Sequence, residues 1–284
     1  MTDSDDIRPA TPDETADIRG MHGSNRAAWD QAAERYEGWL AESIAEIQAG
    51  ATNLFGVEVE LIGDLRGRCH RAIHLQCAGG RDTLGLWNQG AEEVVGIDFS
   101  PRMLELAARL SAATGAPARW ILADVLDTPH DLDGTAALVY TGRGSLKWLQ
   151  DLDAWAAVVA RLLAPGGRFV LFEGHPAEWL FDVDEDGRWV ATEYDYFGGP
   201  EASRGWAPEY IDHLSIEESD QAWKFARAWT LGEVITALLG TDLRLDRVAE
   251  HPIDWWGGHA DVRPADRGRI PLSFSVVAHR SASG

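Results

Sequence analysis

Between residues 72 and 173 the chain alternates short apolar runs with segments of helical period, and this alternation restricts the fold more than any other feature. Residues 72–77 form an apolar run that ends in the Gly79-Gly80 turn, and residues 81–89 then place Leu84, Leu86 and Trp87 at helical spacing before Gly90. The unit reads strand, tight turn, helix. Residues 93–98 are a second run, after which Ser100 reads as an N-cap and Pro101 as the first helical residue, with Met103, Leu104, Ala107, Ala108 and Leu110 as the apolar stripe. Residues 119–123, 136–140 and 168–173 read as three more strands, with a helix over 154–163. Strands separated by helices pair in parallel, so the chain is expected to be α/β, with its ligand beyond the carboxyl ends of the strands.

At those carboxyl ends stand two acids at set distances from the glycine turn, Asp98 in Gly96-Ile-Asp-Phe99-Ser and Asp124 in Ala123-Asp-Val125. An ionised carboxylate accepts two hydrogen bonds, which suits a vicinal diol, and helix N-termini offset its charge. Ser100 already fills the capping role that would otherwise explain Asp98. The order of turn, acid, acid suits a nucleoside with an amino-acid tail: the turn for the tail, Asp98 for ribose hydroxyls and Asp124 for the adenine.

From about Asn25 to His279 the chain resembles the class I S-adenosylmethionine-dependent methyltransferases. Their first strand ends in acid-x-Gly-x-Gly-x-Gly, whereas here it reads His74-Leu-Gln76-Cys77-Ala78-Gly79-Gly80, followed by Asp82-Thr83-Leu84. The acid is thus His74, and the first two glycines are Gln76 and Ala78. The variant looks like one from small-molecule methyltransferases. The resemblance implies S-adenosylmethionine as cofactor and a Rossmann-like sheet of seven strands, closed by an antiparallel pair over 243–249 and 270–279. It implies cofactor contacts from Tyr36, Gln76, Ala78, Gly79, Gly80, Asp98, Phe99, Met103, Asp124, Val125 and Thr141, and no metal. Pro165-Gly166-Gly167 matches the family's turn into the fifth strand.

Residues 1–20 carry six acids with Pro9 and Pro12 and are expected to be a disordered acidic tail, leaving 21–284 as a single methyltransferase domain. Within it, Trp29, Ala32, Ala33, Tyr36, Leu40, Ile44 and Ile47 mark helical capping structure over 21–60. Residues 174–229 break the alternation with Trp179, Trp189, Tyr194, Trp206, Tyr210 and other aromatics, expected as a lid and substrate wall. Glu193, Asp195, Glu209 and Asp212 interleave with these rings, and aromatic faces attract cationic amines. Thr230-Leu-Gly-Glu233 is a capping box opening a late helix.

A net charge of −21 with only Lys147 and Lys224 as lysines repels phosphate backbones and disfavours nucleic-acid substrates. Cys69 and Cys77 read as reduced core thiols rather than zinc ligands or a disulfide. No apolar run reaches the roughly 20 residues of a membrane span. Together with the resemblance, which implies methyl transfer, these features lead to the expectation of a cytoplasmic enzyme acting on a small-molecule acceptor by N- or O-methylation, in secondary-metabolite tailoring and as a homo-oligomer. His175, just past the fifth strand, and Tyr140, at the end of the fourth, are the candidate catalytic residues, with Glu173 beside His175 as another base. Two other readings stay open: an NAD(P)-dependent oxidoreductase, although Thr83 stands where its fingerprint needs a third glycine, and a methyltransferase-like protein that binds the cofactor without turnover.

Overall fold

The computed structural model describes residues 7–208, 210–211 and 213–282. Its centre is a seven-stranded sheet whose strands are β1 (Arg71–Leu75), β2 (Glu93–Asp98), β3 (Ala118–Leu122), β4 (Ala136–Thr141), β5 (Leu163–Gly174), β6 (Leu243–His251) and β7 (Ser273–Arg280), in the order β6-β7-β5-β4-β1-β2-β3. The first five strands pair in parallel, while β7 is antiparallel to both β5 and β6. This is the Rossmann-like methyltransferase sheet expected from the sequence.

Among the described residues eight helices accompany it: α1 (Pro12–Ala16), α2 (Ile18–Gly38), α3 (Leu40–Gln48), α4 (Gly56–Ile62), α5 (Arg81–Asn88), α6 (Pro101–Thr114), α7 (Leu152–Leu162) and α8 (Leu231–Leu239). Several starts have a local cause. Ser100 accepts the Met103 N–H ahead of Pro101, Asp151 accepts that of Ala154, and the Thr230 and Glu233 side chains cap α8 reciprocally. One sheet face buries Ile73, Val95, Val139, Trp155 and Phe169 with α7 and α8, whereas the other buries Ala72, Val94, Leu138 and Tyr140 with α4 and α5. The two-residue alternation along β4 assigns Val139 to the first face and Leu138 and Tyr140 to the second.

Part of the expected acidic tail is ordered. Arg8–Pro9 pairs antiparallel with Glu201–Ser203, and Thr11 with Glu14 forms a capping box that starts α1. Among its described acids, Asp13 and Glu14 lie in the first turn of α1 and Asp17 caps α2, where helix dipoles favour negative charge, and Arg8 pairs with Glu14. Met1 to Asp6 lie outside the described residues, as do Glu209 and Asp212. The leading helical stripe is two helices rather than one, broken between Gly38 and Leu40 with Trp39 stacked edge-on against Tyr36. The insertion holds three-residue strands at Phe181–Val183, Trp189–Ala191, Glu201–Ser203 and Lys224–Ala226, and the last two extend the Arg8–Pro9 pairing into a small sheet under α2.

Packing around α5 is tight enough to test. A Cβ on Gly85 would lie 1.9 Å from the Thr52 carbonyl oxygen, an atom that moves only with its backbone. Gly85→Ala is expected to destabilise the protein by about 2 kcal/mol, read as a lowered midpoint of urea unfolding; an unchanged midpoint would show that residues 51–55 yield freely.

Candidate cofactor-binding site

Beyond β1 and β2 the chain makes the turn that the glycine motif leads to, with other residues in the glycine places. Gln76 has φ 57° and Ala78 φ 44°, so both adopt the left-handed backbone at the positions where the family carries glycine. Side chains there cost on the order of 1 kcal/mol each, a strain that concentrates at functional sites. Gln76 spans the turn: its Nε2 donates to the Ser145 carbonyl at 3.0 Å, while its Oε1 is buried without a partner. Gly80, at φ 79°, lets the chain pass Trp120, whose ring would lie 2.5 Å from any Cβ there.

Asp98 ends β2, is nearly buried, and accepts the Ala78 N–H at 2.8 Å on one oxygen and the Ser100 N–H at 2.9 Å on the other. Burial pushes its carboxyl up to about 6 against the pull of those N–H groups, and nearby Asp30 adds to the rise. Asp124 follows β3. Its Oδ1 accepts the Leu126 N–H, and its Oδ2 lies 2.6 Å from His22 Nδ1 and 3.3 Å from Arg19. Burial raises Asp124, but the His22 hydrogen bond leads the effects that bring it below the usual carboxylate range. Because Gln150 N–H donates to His22 Nε2 at 3.2 Å, the ring proton is fixed on Nδ1 and given to Asp124.

Asp98 and Asp124 both border one cavity of about 460 Å³, together with Gln76, Ala78, Gly79, Gly80, Phe99 and Val125. Trp29 and Tyr36 from α2 and Tyr210 from the insertion also line it, and the Tyr36 and Tyr210 hydroxyls meet at 2.9 Å. Asn53, Phe55, His74, Asp82, Arg143 and Trp255 line it as well. Arg143 is nearly buried there, 2.6 Å from Asp82 and 3.2 Å from Glu58, with Phe55 under its guanidinium. Among the described residues, no group of three or more His, Cys, Asp or Glu is placed to hold a metal ion. Cys69 and Cys77 are free and buried.

Four expected site residues lie outside this lining. Tyr140 is fully buried and donates its hydroxyl to Glu58 Oε1, because strand alternation turns it onto the sheet face that α4 covers. Its proposed catalytic place is therefore corrected. His175 is buried as well; its Nδ1 accepts the Ala177 N–H to cap a short helical turn, Pro176–Leu180, and its Nε2 lies 2.9 Å from Glu250. Burial pulls its pKa down, and it serves the turn rather than the cavity. Thr141 is fully buried, and Met103 packs into the cluster of Trp29, Leu106 and Trp148. Glu173 accepts the N–H groups of Gly144, Ser145 and Leu146, which orders that loop.

The cavity also contains residues that sequence reasoning did not assign to the cofactor, His22, Asn53, Asp82 and Trp255 among them. His22 lies 102 residues from Asp124, and no local pattern marks that pairing.

A mostly parallel sheet in this strand order, closed by an antiparallel pair, is the Rossmann-like methyltransferase fold. Residues 72–167 match the family described as "Methyltransferase domain". The matched segment spans about a third of this chain. The chain is similar to demethylmenaquinone methyltransferase of Thermus thermophilus, with 39% identity over 84 residues, which are 30% of this chain and 37% of that protein. The chain thus spans little more than a third of the length of this curated relative. A putative S-adenosylmethionine-dependent methyltransferase from Listeria monocytogenes superposes with a TM-score of 0.56 at 20% identity, over 78% of this chain and 95% of the other. One from Mesorhizobium loti gives 0.54 at 20% identity, over 82% and 100%. At that identity the likeness is one of fold.

Proposed function

We propose that the protein transfers a methyl group from S-adenosylmethionine to a small organic acceptor, an amine or hydroxyl compound of the kind modified in secondary metabolism. One observation carries the reading: Asp98, Asp124 and the turn at residues 76–80 share the wall of a single cavity, of a volume ordinary for a small-molecule site. The bound cofactor would supply an electrophilic methyl group on a sulfonium whose sulfur leaves as a thioether. Asp98 would hold the ribose hydroxyls and Asp124, aimed by His22, the adenine amino group, with Phe99 and Val125 flanking the base.

The chain's own contribution is positioning and exclusion of water. Trp29, Tyr36, Tyr210 and Trp255 present aromatic faces to the cavity, and holding reactants in line accounts for much of the rate of a displacement. We assign no general base, since His175 and Tyr140 are engaged outside the cavity and burial pulls His74 down to about 4. No described helix is long and apolar enough to cross a membrane. We read residues 21–284 as one catalytic domain of a cytoplasmic protein, and the net charge of −21 supports an acceptor that is not a nucleic acid.

The test is direct binding. Calorimetry is expected to give saturable binding of S-adenosylhomocysteine, whereas fluorescence titration with NADH gives none. The opposite pair of results would replace this reading with the nicotinamide one.

A further inference from the structure

The cofactor reading leaves one question that the sequence departure raises: what answers the positive charge of the amino-acid tail when the first strand carries His74 in place of an acid. Burial keeps the His74 ring neutral, and its Nδ1 is bonded to Thr83 Oγ1 at 2.8 Å, so β1 brings no negative charge to this wall. The acid nearest the turn in sequence is Asp82, in the first turn of α5, two residues past Gly80, while Asp98 is already bound to the Ala78 and Ser100 N–H groups. Asp82 lines the same cavity as Asp98 and Asp124.

We propose that Asp82 receives the α-ammonium group of the methionine tail, in place of the strand acid that this chain lacks; the inference rests on the cofactor reading above. Asp82 is held for this task from two sides. Arg143 Nη2 donates to Oδ2 at 2.6 Å, and the Asn53 side-chain amide donates to Oδ1. A carboxylate offers about four lone-pair positions, so each oxygen keeps one free for an ammonium with three donors. Burial alone would raise the Asp82 carboxyl, but the Arg143 charge leads the effects that hold it below its ordinary range, and it is ionised at neutral pH.

Charge balance points the same way. Arg143 serves two carboxyls, Asp82 and the fully buried Glu58, which burial pushes up to about 7. Above that pH the cluster carries one cation and two anions and is complete only with a second cation. The Phe55 ring centroid lies 5.0 Å from the guanidinium carbon of Arg143, and the low exposure of Arg143 and Asp82, 9% and 20%, strengthens a charge pair formed there.

The experiment compares S-adenosylhomocysteine with its desamino analogue, identical except that hydrogen replaces the α-ammonium, by calorimetry at pH 8. Wild type is expected to prefer the amino compound at least tenfold. Asp82→Asn should weaken S-adenosylhomocysteine by tenfold or more, leave the analogue within about twofold, and so abolish the preference. Equal weakening of both ligands, or a preference that survives the substitution, would overturn the assignment. Asp82→Ser carries the same test should the asparagine variant fail to fold, and a wild type that shows no preference rejects the proposal without any variant. A wild type that binds neither compound rejects the cofactor reading itself, which is a separate result.

Discussion

Arg143→Met is expected to destabilise the protein by about 3–5 kcal/mol at pH 8, the range found when one partner of a buried ion pair is removed. The size follows from what the guanidinium holds: Asp82 at 2.6 Å, Glu58 at 3.2 Å and the Asn53 carbonyl at 3.2–3.3 Å, in a side chain only 9% exposed. Methionine fills much of the volume and leaves both acids without their cation. Glu58 gives the loss its pH dependence. Burial already lifts Glu58 from 4.5 to about 7 while Arg143 opposes the rise, so without Arg143 it goes higher still. A folded-state pKa above the unfolded value means that proton uptake favours the folded state. The stability so contributed is complete below about pH 4.5 and lost as pH rises through 7 and beyond. The variant's deficit should therefore shrink between pH 8 and pH 6 as Glu58 takes up a proton, and Glu58→Gln in the same chain should remove that pH dependence. Urea unfolding at the two pH values reads both effects; a deficit independent of pH would show that Glu58 is not what Arg143 neutralises.

That cluster also marks where sequence reading ends. The strand over Glu93–Asp98, the Ser100 cap, the α8 capping box and the antiparallel closing pair were all legible, because each depends on residues within a few positions of one another or on alternation along one element. The convergence of Asp98, Asp124 and the glycine turn on one cavity was legible too, since parallel strands deliver their carboxyl ends to the same edge. Tyr140 shows a limit that parity alone lowers: it lies two residues from Leu138 and so shares its buried face, but only the position of α4 reveals Glu58 as its partner. His22 on Asp124 and Asn53 on Asp82 join segments 102 and 29 residues apart, and nothing in local period or capping encodes them. The helix starts at Asp13, Glu14 and Asp17 were missed for a different reason, because composition counts charges but not the caps and first turns that these three occupy.

Asp98→Ala is expected to weaken S-adenosylhomocysteine binding by roughly 10- to 100-fold at pH 8, since a hydrogen bond to a charged group is worth about 1.5–3 kcal/mol and 1.4 kcal/mol is tenfold. Part of that loss is indirect. The carboxylate also holds the Ala78 and Ser100 N–H groups at 2.8 and 2.9 Å, so alanine loosens the turn that it is meant to probe. Acidity separates the two contributions. Burial has raised Asp98 from 3.8 to about 6, and the ionised form is the one that accepts two hydroxyl hydrogens. In wild type the affinity should therefore be level above about pH 7 and fall toward tenfold per unit below 6. Stability moves in the opposite sense. With its folded pKa above the unfolded one, Asp98 favours folding most below about pH 4 and progressively less as pH rises through 6, so weaker binding in acid does not arise from loss of the fold through this group. In Asp98→Asn, which fills the same space without titrating, the affinity at pH 8 should drop and its slope between pH 7 and pH 5 should flatten. A wild-type affinity that does not change over that interval would mean that the carboxylate at the end of β2 is not what grips the nucleoside.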